Sequence, residues 1–437
     1  MAEKNKEKTL NPYVGARPFT RSLDDRRRFY GRDDETDEIV SLILSHRLVL
    51  IYGPSGAGKT SIFEAQVAPT LEQHGFDVLP RARAGIASDE KSKFTTTYDA
   101  SSKLINFYML NVFQSLAPEV SLDLVYDKSL FEFLNIHFPF DHNGNGKPQV
   151  LVIDQLEELF TYYPGDTWRE QQKKFFEQIA NVLEKNIELQ IVFIIREENL
   201  AQLDQFVHIL PGRLRPRFRL GRLTKDAAFL AIKNPLVELD ISSRNHTSLE
   251  LDNRIKEKIV KNLAKVRTEN PLSDKRTNEP TLVEGEFIEP IHLQIVCERR
   301  WKQLLSFGET ENNQSHLGSL IDADKPKWLR LKKWFRLKSQ RDNKDESRAG
   351  KESAYLVDVD TALREFYEEE IHNVITNSNV SEGAIRRLFQ EKFITSSGTR
   401  AFVHEREVIQ GLIRSRRTRA FLHWPAFVRK GGNPLDR

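Results

Sequence analysis

One octapeptide constrains this chain more than any other stretch of it. It reads Gly53-Pro54-Ser55-Gly56-Ala57-Gly58-Lys59-Thr60, which fits the pattern G-x-x-x-x-G-K-[S/T] at every position. An apolar run at 47–52 precedes it and suits a buried parallel strand, and a helical pattern at 60–75 follows it. A strand, a glycine-rich loop and a helix in this order predict a phosphate-binding loop.

The residue types in this loop each have a physical reason. The glycines permit positive φ, so that backbone N–H groups converge on phosphate oxygens, and the N-terminus of the following helix favours anions. Lys59 supplies positive charge to the β- and γ-phosphates, and the Thr60 hydroxyl is a ligand for Mg²⁺. We therefore predict that ATP or ADP binds here with Mg²⁺. The predicted binding residues of the loop are Gly53, Pro54, Ser55, Gly56, Ala57, Gly58, Lys59, Thr60 and Ser61.

A second buried strand at 150–153 ends at an acidic residue, Asp154. A carboxylate at that strand end can hold Mg²⁺, directly or through water. Many P-loop ATPases place a glutamate directly after this aspartate, but here the position is Gln155. The glutamates are displaced to Glu157 and Glu158, of which we favour Glu158 as the residue that polarises the attacking water. The simpler interpretations are a strand-end cap for Asp154 and a solvated helical turn for the glutamates.

A third buried strand at 189–195 ends at Arg196. Ligands of doubly wound sheets bind at the carboxyl ends of the strands, so Arg196 is a candidate to contact a γ-phosphate or its water. An ion pair with a nearby glutamate is the alternative. A basic run at 213–219 is a candidate arginine finger, within the chain or toward a neighbour, and a solvated basic loop is equally compatible with it.

Composition narrows the class of protein. The chain has 437 residues, of which 39% are hydrophobic and 30% charged, as in globular proteins. Its net charge of +3 does not by itself indicate a nucleic-acid partner. Cys297 is the single cysteine, which excludes a disulfide within the chain and fits a reducing cytoplasm. We find no secretory signal, and no apolar run reaches the ~18 residues of a membrane span.

The order of patterns predicts an α/β fold. Strands alternate with helices over the first part of the chain, which indicates a P-loop NTPase with a mostly parallel sheet. Beyond about residue 234 the pattern is helical and predicts no further buried strand; it indicates a helical lid, then a winged helix. The predicted divisions are a disordered tail at 1–10, a P-loop domain at 11–235, a lid at 236–324, a basic flexible insertion at 325–352 and a winged-helix-like domain at 353–437.

With these motifs, the chain resembles the STAND class of P-loop ATPases, which are signalling switches related to the AAA+ proteins. It is most similar to the bacterial novel STAND NTPase type-one domain. Three early stretches carry the resemblance, and parts of the predicted lid and winged helix add to it. The early stretches are Asn11-Pro12-Tyr13-Val14-Gly15-Ala16-Arg17-Pro18-Phe19, Phe29-Tyr30-Gly31-Arg32-Asp33-Asp34-Glu35 and Ile153-Asp154-Gln155-Leu156-Glu157-Glu158-Leu159-Phe160.

The resemblance implies roles that the residues alone do not. Gly31 and Arg32 are implied to touch the base and ribose, Arg196 to sense the nucleotide state, and Pro235 to contact bound ADP. It further implies a slow ATPase whose nucleotide state controls domain arrangement and assembly with itself or with partner proteins, in bacterial defence or stress signalling. One departure is the C-terminal part, where His423 does not align convincingly with the histidine that holds ADP in the family.

The stretch at 325–351 interleaves cations with aromatic residues. A basic amphipathic helix of this kind can bind a nucleic-acid backbone or an anionic membrane, and a solvated linker is the simpler interpretation. Because winged helices often bind DNA, the rival function is a nucleotide-binding scaffold or DNA-binding regulator with little turnover.

Overall fold

The computed structural model divides into two units, which we call the sheet unit and the helical unit. The sheet unit comprises Asp33–Gly221 and the part of the chain from Glu370 onward, and the helical unit comprises the part up to Arg32 together with Arg222–Glu369. Among the described residues, no helix combines the length and the apolar character that crossing a membrane requires. The structure describes residues 11–85, 106–140, 147–160, 166–185, 187–242, 253–268, 281–314, 359–378 and 380–393.

Six parallel strands form the centre of the sheet unit. Their order is β2-β4-β5-β1-β6, and β3 pairs with the carboxyl end of β4, beside β2. The predicted parallel sheet is therefore confirmed, as are its strands at 47–52, 150–153 and 189–195. The strands are Leu48–Gly53 (β1), Asp77–Val78 (β2), Ala82–Arg83 (β3), Gln149–Asp154 (β4), Leu189–Arg196 (β5) and Arg217–Arg219 (β6).

The three central strands β4, β5 and β1 are buried along almost their whole length, because helices cover the sheet. Two of these helices, Phe107–Leu116 and Leu130–His137, contact each other through Phe113 and Phe133, whose rings stack with their centroids 4.1 Å apart. Arg47, just before β1, donates to the carbonyls of Leu183 and Ile187 and so satisfies the C-terminal end of a long helix. The main helices of the unit are Asp33–Ser45, Lys59–Ile62, Ala68–Gln73, Phe107–Leu116, Leu130–His137 and Asp166–Leu183.

The helical unit contains two short antiparallel strand pairs besides its helices. Leu223–Thr224 (β7) pairs with Phe287–Ile288 (β10), and Lys265–Thr268 (β8) pairs with Thr281–Glu284 (β9). The sequence predicts no buried strand beyond about residue 234. The strands β8, β9 and β10 have only two to four residues each, which is too short for a pattern of apolar residues to identify them. The helices are Leu23–Arg26, Lys225–Ser242, Asn253–Leu263, Pro290–Gln314 and Val359–Ser378, the last of which continues beyond the boundary of the unit.

The N-terminal segment of the helical unit is held by a buried carboxylate. Asp25 accepts hydrogen bonds from both terminal nitrogens of Arg17, at 2.6 and 2.7 Å, and pairs with Arg28 at 2.7 Å. Burial raises the pKa of Asp25, but the hydrogen bonds from Arg17 and Thr20 outweigh it and lower the pKa to about 2. The Tyr13 hydroxyl, in the same segment, donates to a helix carbonyl of the unit at 2.9 Å.

The last described helical segment is Glu382–Leu388, continued by a π-helical turn at Phe389–Phe393. The basic insertion and the remainder of the predicted winged helix, 394–437, lie outside the described residues. The winged helix and the division into domains therefore stay predictions.

Candidate nucleotide site

The loop between β1 and the next helix is shaped by its glycines. Gly58 precedes the helix with φ +94°, a left-handed conformation that side-chain-bearing residues rarely adopt. At Gly53, a Cβ atom would overlap the carbonyl oxygen of Leu220, which follows β6. The helix begins at Lys59, so its first turn contains Thr60 and Ser61. The loop therefore ends on a helix N-terminus, as the sequence predicts.

The Lys59 side chain folds back onto the start of the phosphate loop. Its Nζ donates to the carbonyls of Gly53 and Pro54 at 2.8 and 2.9 Å. Burial lowers the pKa of Lys59, whereas the charges of Glu157 and Asp154 act to raise it. A partly buried ammonium group held between backbone carbonyls is suited to a polyanionic ligand.

Thr60 and Asp154, the two predicted metal ligands, are brought together. The Thr60 hydroxyl donates to Oδ2 of Asp154 at 2.7 Å, and the other carboxylate oxygen accepts from the Gln155 N–H at 2.8 Å. Asp154 is almost completely buried at the end of β4. A hydroxyl and a carboxylate oxygen are the ligand chemistry that Mg²⁺ prefers, so the residues present fit this cation.

Glu157 and Arg196 form an ion pair beside the loop. Arg196 Nε lies 2.9 Å from Oε1 of Glu157, and the Arg196 backbone N–H donates to Oε2 at 3.3 Å. Because β5 lies between β1 and β4, Arg196 is opposite Gly53 in the strand register. Burial raises the pKa of Glu157, and Arg196 opposes that effect. Glu157 is also the acid whose charge acts most strongly on Lys59.

Glu158 points to the other flank of β4. Its carboxylate forms an ion pair with Arg83 of β3, and it packs so closely on Gly85 that a Cβ atom there would overlap it. Burial raises the pKa of Glu158, and the Arg83 charge opposes that effect. The two glutamates thus separate: Glu157 turns toward β5, and Glu158 turns toward β3.

Two arginines of the site were missed by the sequence analysis. Arg81 Nη1 lies 3.1 Å from Oδ2 of Asp154, and Arg83 pairs with Glu158. Their two-residue spacing, which places both side chains on one side of an extended segment, was the available signal. Each of the three acids therefore pairs with its own arginine: Asp154 with Arg81, directly before β3, Glu158 with Arg83 of β3, and Glu157 with Arg196 of β5.

Two arginines of the basic run at 213–219 lie on β6 and form ion pairs with acids outside the site described above. Arg219 is opposite Tyr52 in the register and pairs with Glu197 at 2.9 Å. Arg217, two residues earlier in β6, pairs with Asp204 at 3.1 Å. These pairs are the solvated ion pairs that the alternative interpretation expected, and they give no support to an arginine finger acting within the unit.

Three further predicted nucleotide contacts belong to the helical unit. Gly31 has φ +83°, and a Cβ atom there would overlap the carbonyl oxygen of Ala227. Arg32 is 4% exposed, and Pro235 is a buried residue inside the helix Lys225–Ser242. Their nucleotide roles stay predictions.

Comparison with known proteins decides the family. The family model of novel STAND NTPase 1 matches residues 12–272, which include the phosphate loop, the acidic strand end and Arg196. The chain belongs to this family. It is therefore a nucleotide-binding NTPase, in agreement with its parallel α/β sheet and its phosphate loop.

Solved structures are similar at low identity. The Walker-type ATPase PABY2304 of Pyrococcus abyssi is 13% identical with a TM-score of 0.41, over 91% of this chain and 92% of that one. A chain of the E. coli MS115-1 HORMA:CdnC:Trip13 complex is 12% identical with a TM-score of 0.35, over 67% of this chain and 92% of that one. No curated protein matches the chain.

Proposed function

We propose that the chain is an ATP-binding, slowly ATP-hydrolysing switch of the STAND type. One observation carries the proposal. Three adjacent parallel strands end at the phosphate loop, at Arg196 and at Asp154, and these ends bring Lys59, Thr60 and Glu157 together. Phosphate binding, cation binding and water activation each have a residue of suitable chemistry there.

The proposed binding roles follow from these contacts. Lys59 exchanges its two loop carbonyls for the β- and γ-phosphates, and the loop N–H groups bind the remaining phosphate oxygens. Thr60 and Asp154 hold Mg²⁺, which when bound neutralises phosphate charge. For Gly31, Arg32 and Pro235 we retain the family roles toward the base, the ribose and ADP.

For water activation the geometry favours Glu157 over Glu158, which the sequence alone had favoured. The charge of Glu157 acts on Lys59 more strongly than that of any other acid, whereas Glu158 is held by Arg83 of β3, on the opposite flank of β4 from β5. Burial raises the pKa of Glu157, which brings a carboxylate closer to the basicity that proton transfer requires. Its bond to Arg196 holds the carboxylate in place.

The same ion pair supplies a link between nucleotide state and structure. A γ-phosphate near Arg196 competes with Glu157 for the guanidinium, so ATP and ADP leave Arg196 with different partners. In the proposal this difference changes the arrangement of the P-loop domain, the lid and the winged helix, and so controls assembly with itself or with partner proteins. Bacterial defence or stress signalling in the cytoplasm is the proposed setting.

The rival function is a nucleotide-binding scaffold or DNA-binding regulator with little turnover. Its sequence support, the basic stretch at 325–351 and the winged helix, lies largely outside the described residues. No contact among the described residues favours it, so the ATPase switch stands as the proposal.

Replacement of Lys59 tests the binding half of the proposal. We expect Lys59→Ala to weaken ATP binding at least ~100-fold, because it removes a charge-assisted contact to the phosphates. Isothermal titration with ATP and Mg²⁺ measures the effect. Lys147→Ala, the same change at an exposed lysine of the sheet unit, is the control. ATP affinity unchanged in Lys59→Ala overturns the proposal.

A further inference from the structure

Asp154 has a second partner at the oxygen that faces Thr60. Oδ2 accepts from the Thr60 hydroxyl at 2.7 Å and also from Arg81 Nη1 at 3.1 Å. The carboxylate is buried, with 2% of its side chain exposed, whereas the Arg81 side chain is 36% exposed. The arginine thus reaches the candidate metal ligand from the solvent side, and its head can leave without disturbing the core.

The backbone explains why Arg81 reaches Asp154. β2 and β3 both pair with β4, at Asp77–Val78 and at Ala82–Arg83. The Leu79 N–H still donates to the Val150 carbonyl of β4 at 3.0 Å, and Pro80 follows it. Proline cannot donate a ladder hydrogen bond, which accounts for an interruption at this point. Arg81 lies directly after the proline, next to the residues that pair with the end of β4.

The other two arginines of the site each form an ion pair with a different acid. Arg83 pairs with Glu158, and Arg196 pairs with Glu157. Arg81 is therefore the guanidinium that shares its acceptor oxygen with Thr60, the other candidate ligand of the cation. A guanidinium and a divalent cation repel each other, and both use the same carboxylate oxygen, so the two compete for Asp154.

We propose that Arg81 competes with Mg²⁺ for Asp154 and thereby sets how strongly the nucleotide site takes up its metal. This rests on the proposed nucleotide site and adds a residue to it. Arg81 weakens metal uptake while the site is open, and it gives Asp154 a partner when the metal leaves. In this proposal Arg81 affects how tightly the metal binds and is not needed to bind the phosphates.

The test is a metal titration that does not depend on turnover. Free Mn²⁺ is counted by electron paramagnetic resonance while it is titrated onto the full chain with a non-hydrolysable ATP analogue bound. We expect Arg81→Gln to tighten Mn²⁺ binding about ten-fold, because it removes one positive charge beside the cation. We expect Arg81→Lys, which keeps the charge, to stay closer to wild type.

Two controls separate this effect from others. Arg217→Gln removes an arginine of similar exposure that pairs with Asp204, also at 3.1 Å, and we expect it to leave Mn²⁺ binding unchanged. Analogue binding in EDTA is expected to stay within about two-fold of wild type in Arg81→Gln. A loss of analogue binding in EDTA would make Arg81 a phosphate contact and overturn the proposal.

The remaining outcomes are equally decisive. Unchanged or weaker Mn²⁺ binding in Arg81→Gln, with analogue binding intact, overturns the role of Arg81 and leaves the proposed function standing. Failure of the wild-type chain to bind the analogue, with or without Mn²⁺, overturns the proposed function and this inference with it.

Discussion

Neighbouring residues of one short turn have different environments at this site. Glu157 and Glu158 are adjacent in sequence, yet one carboxylate bonds Arg196 of β5 and the other bonds Arg83 of β3. Glu157 is buried and Glu158 is largely so, and burial raises the pKa of each. The two carboxylates differ in the direction they point, and the glutamate that activates water has to face the phosphates.

This separation gives a prediction for the two conservative amide variants. We expect Glu157→Gln to slow single-turnover ATP hydrolysis by about 10²–10³-fold with ATP affinity retained, since an amide cannot act as a base. Glu158→Gln should lower the rate less than about ten-fold, because it only weakens the bond to Arg83. Radiolabelled ATP with excess enzyme measures both. The opposite ranking would return the role to Glu158.

At the residue scale, the sequence indicates the members of the site but not their pairing. Lys59, Thr60 and Asp154 are readable because a local motif specifies them. Arg81 was missed because its partner is 73 positions away and depends on which strand lies next to β4. The pairing of Arg196 with Glu157 was only one of several ion pairs compatible with the sequence, for the same reason.

At the scale of elements, β1 and β6 have to approach closely where the phosphate loop begins. The register places Tyr52 opposite Arg219, the last residue of β6, and one residue further on Gly53 lies against the carbonyl of Leu220. Only glycine permits this contact. The loop is therefore positioned by an edge strand of three residues as well as by its own sequence.

Gly53→Ala tests this coupling. We expect it to destabilise the chain by about 1–3 kcal/mol, since backbone has to move to admit the Cβ atom. ATP affinity should also fall, because the displaced residue opens the phosphate loop. Thermal unfolding and ATP titration measure the two effects. Gly221→Ala, beside the same contact but with no atom near its Cβ position, is the control. Equal behaviour of the two variants would contradict the coupling.

The strands that could be predicted are those that are long and apolar. β1, β4 and β5 have six to eight residues each and are buried, so their composition identifies them. β2, β3 and β6 have only two or three residues and include charged ones, and they form because a neighbour offers a free edge. Local sequence carries little signal for such a strand.

For the whole molecule, the fold class followed from the alternation of strands and helices, and the family from three motifs. The residues proposed for phosphate, cation and water chemistry, from Gly53 to Arg196, all belong to the sheet unit. Gly31, Arg32 and Pro235 belong to the helical unit. A nucleotide-state switch needs parts that respond to the nucleotide, and the proposed lid and winged helix are those parts.

The most direct test of the central claim is steady-state ATP hydrolysis by the purified full chain, compared with Asp154→Ala. We predict slow, Mg²⁺-dependent hydrolysis by wild type and a loss of at least ~100-fold in Asp154→Ala, because the variant lacks a cation ligand. Asp37→Ala, at an exposed helix position of the same unit, should hydrolyse like wild type. No hydrolysis by wild type, or undiminished hydrolysis by Asp154→Ala, would contradict the claim.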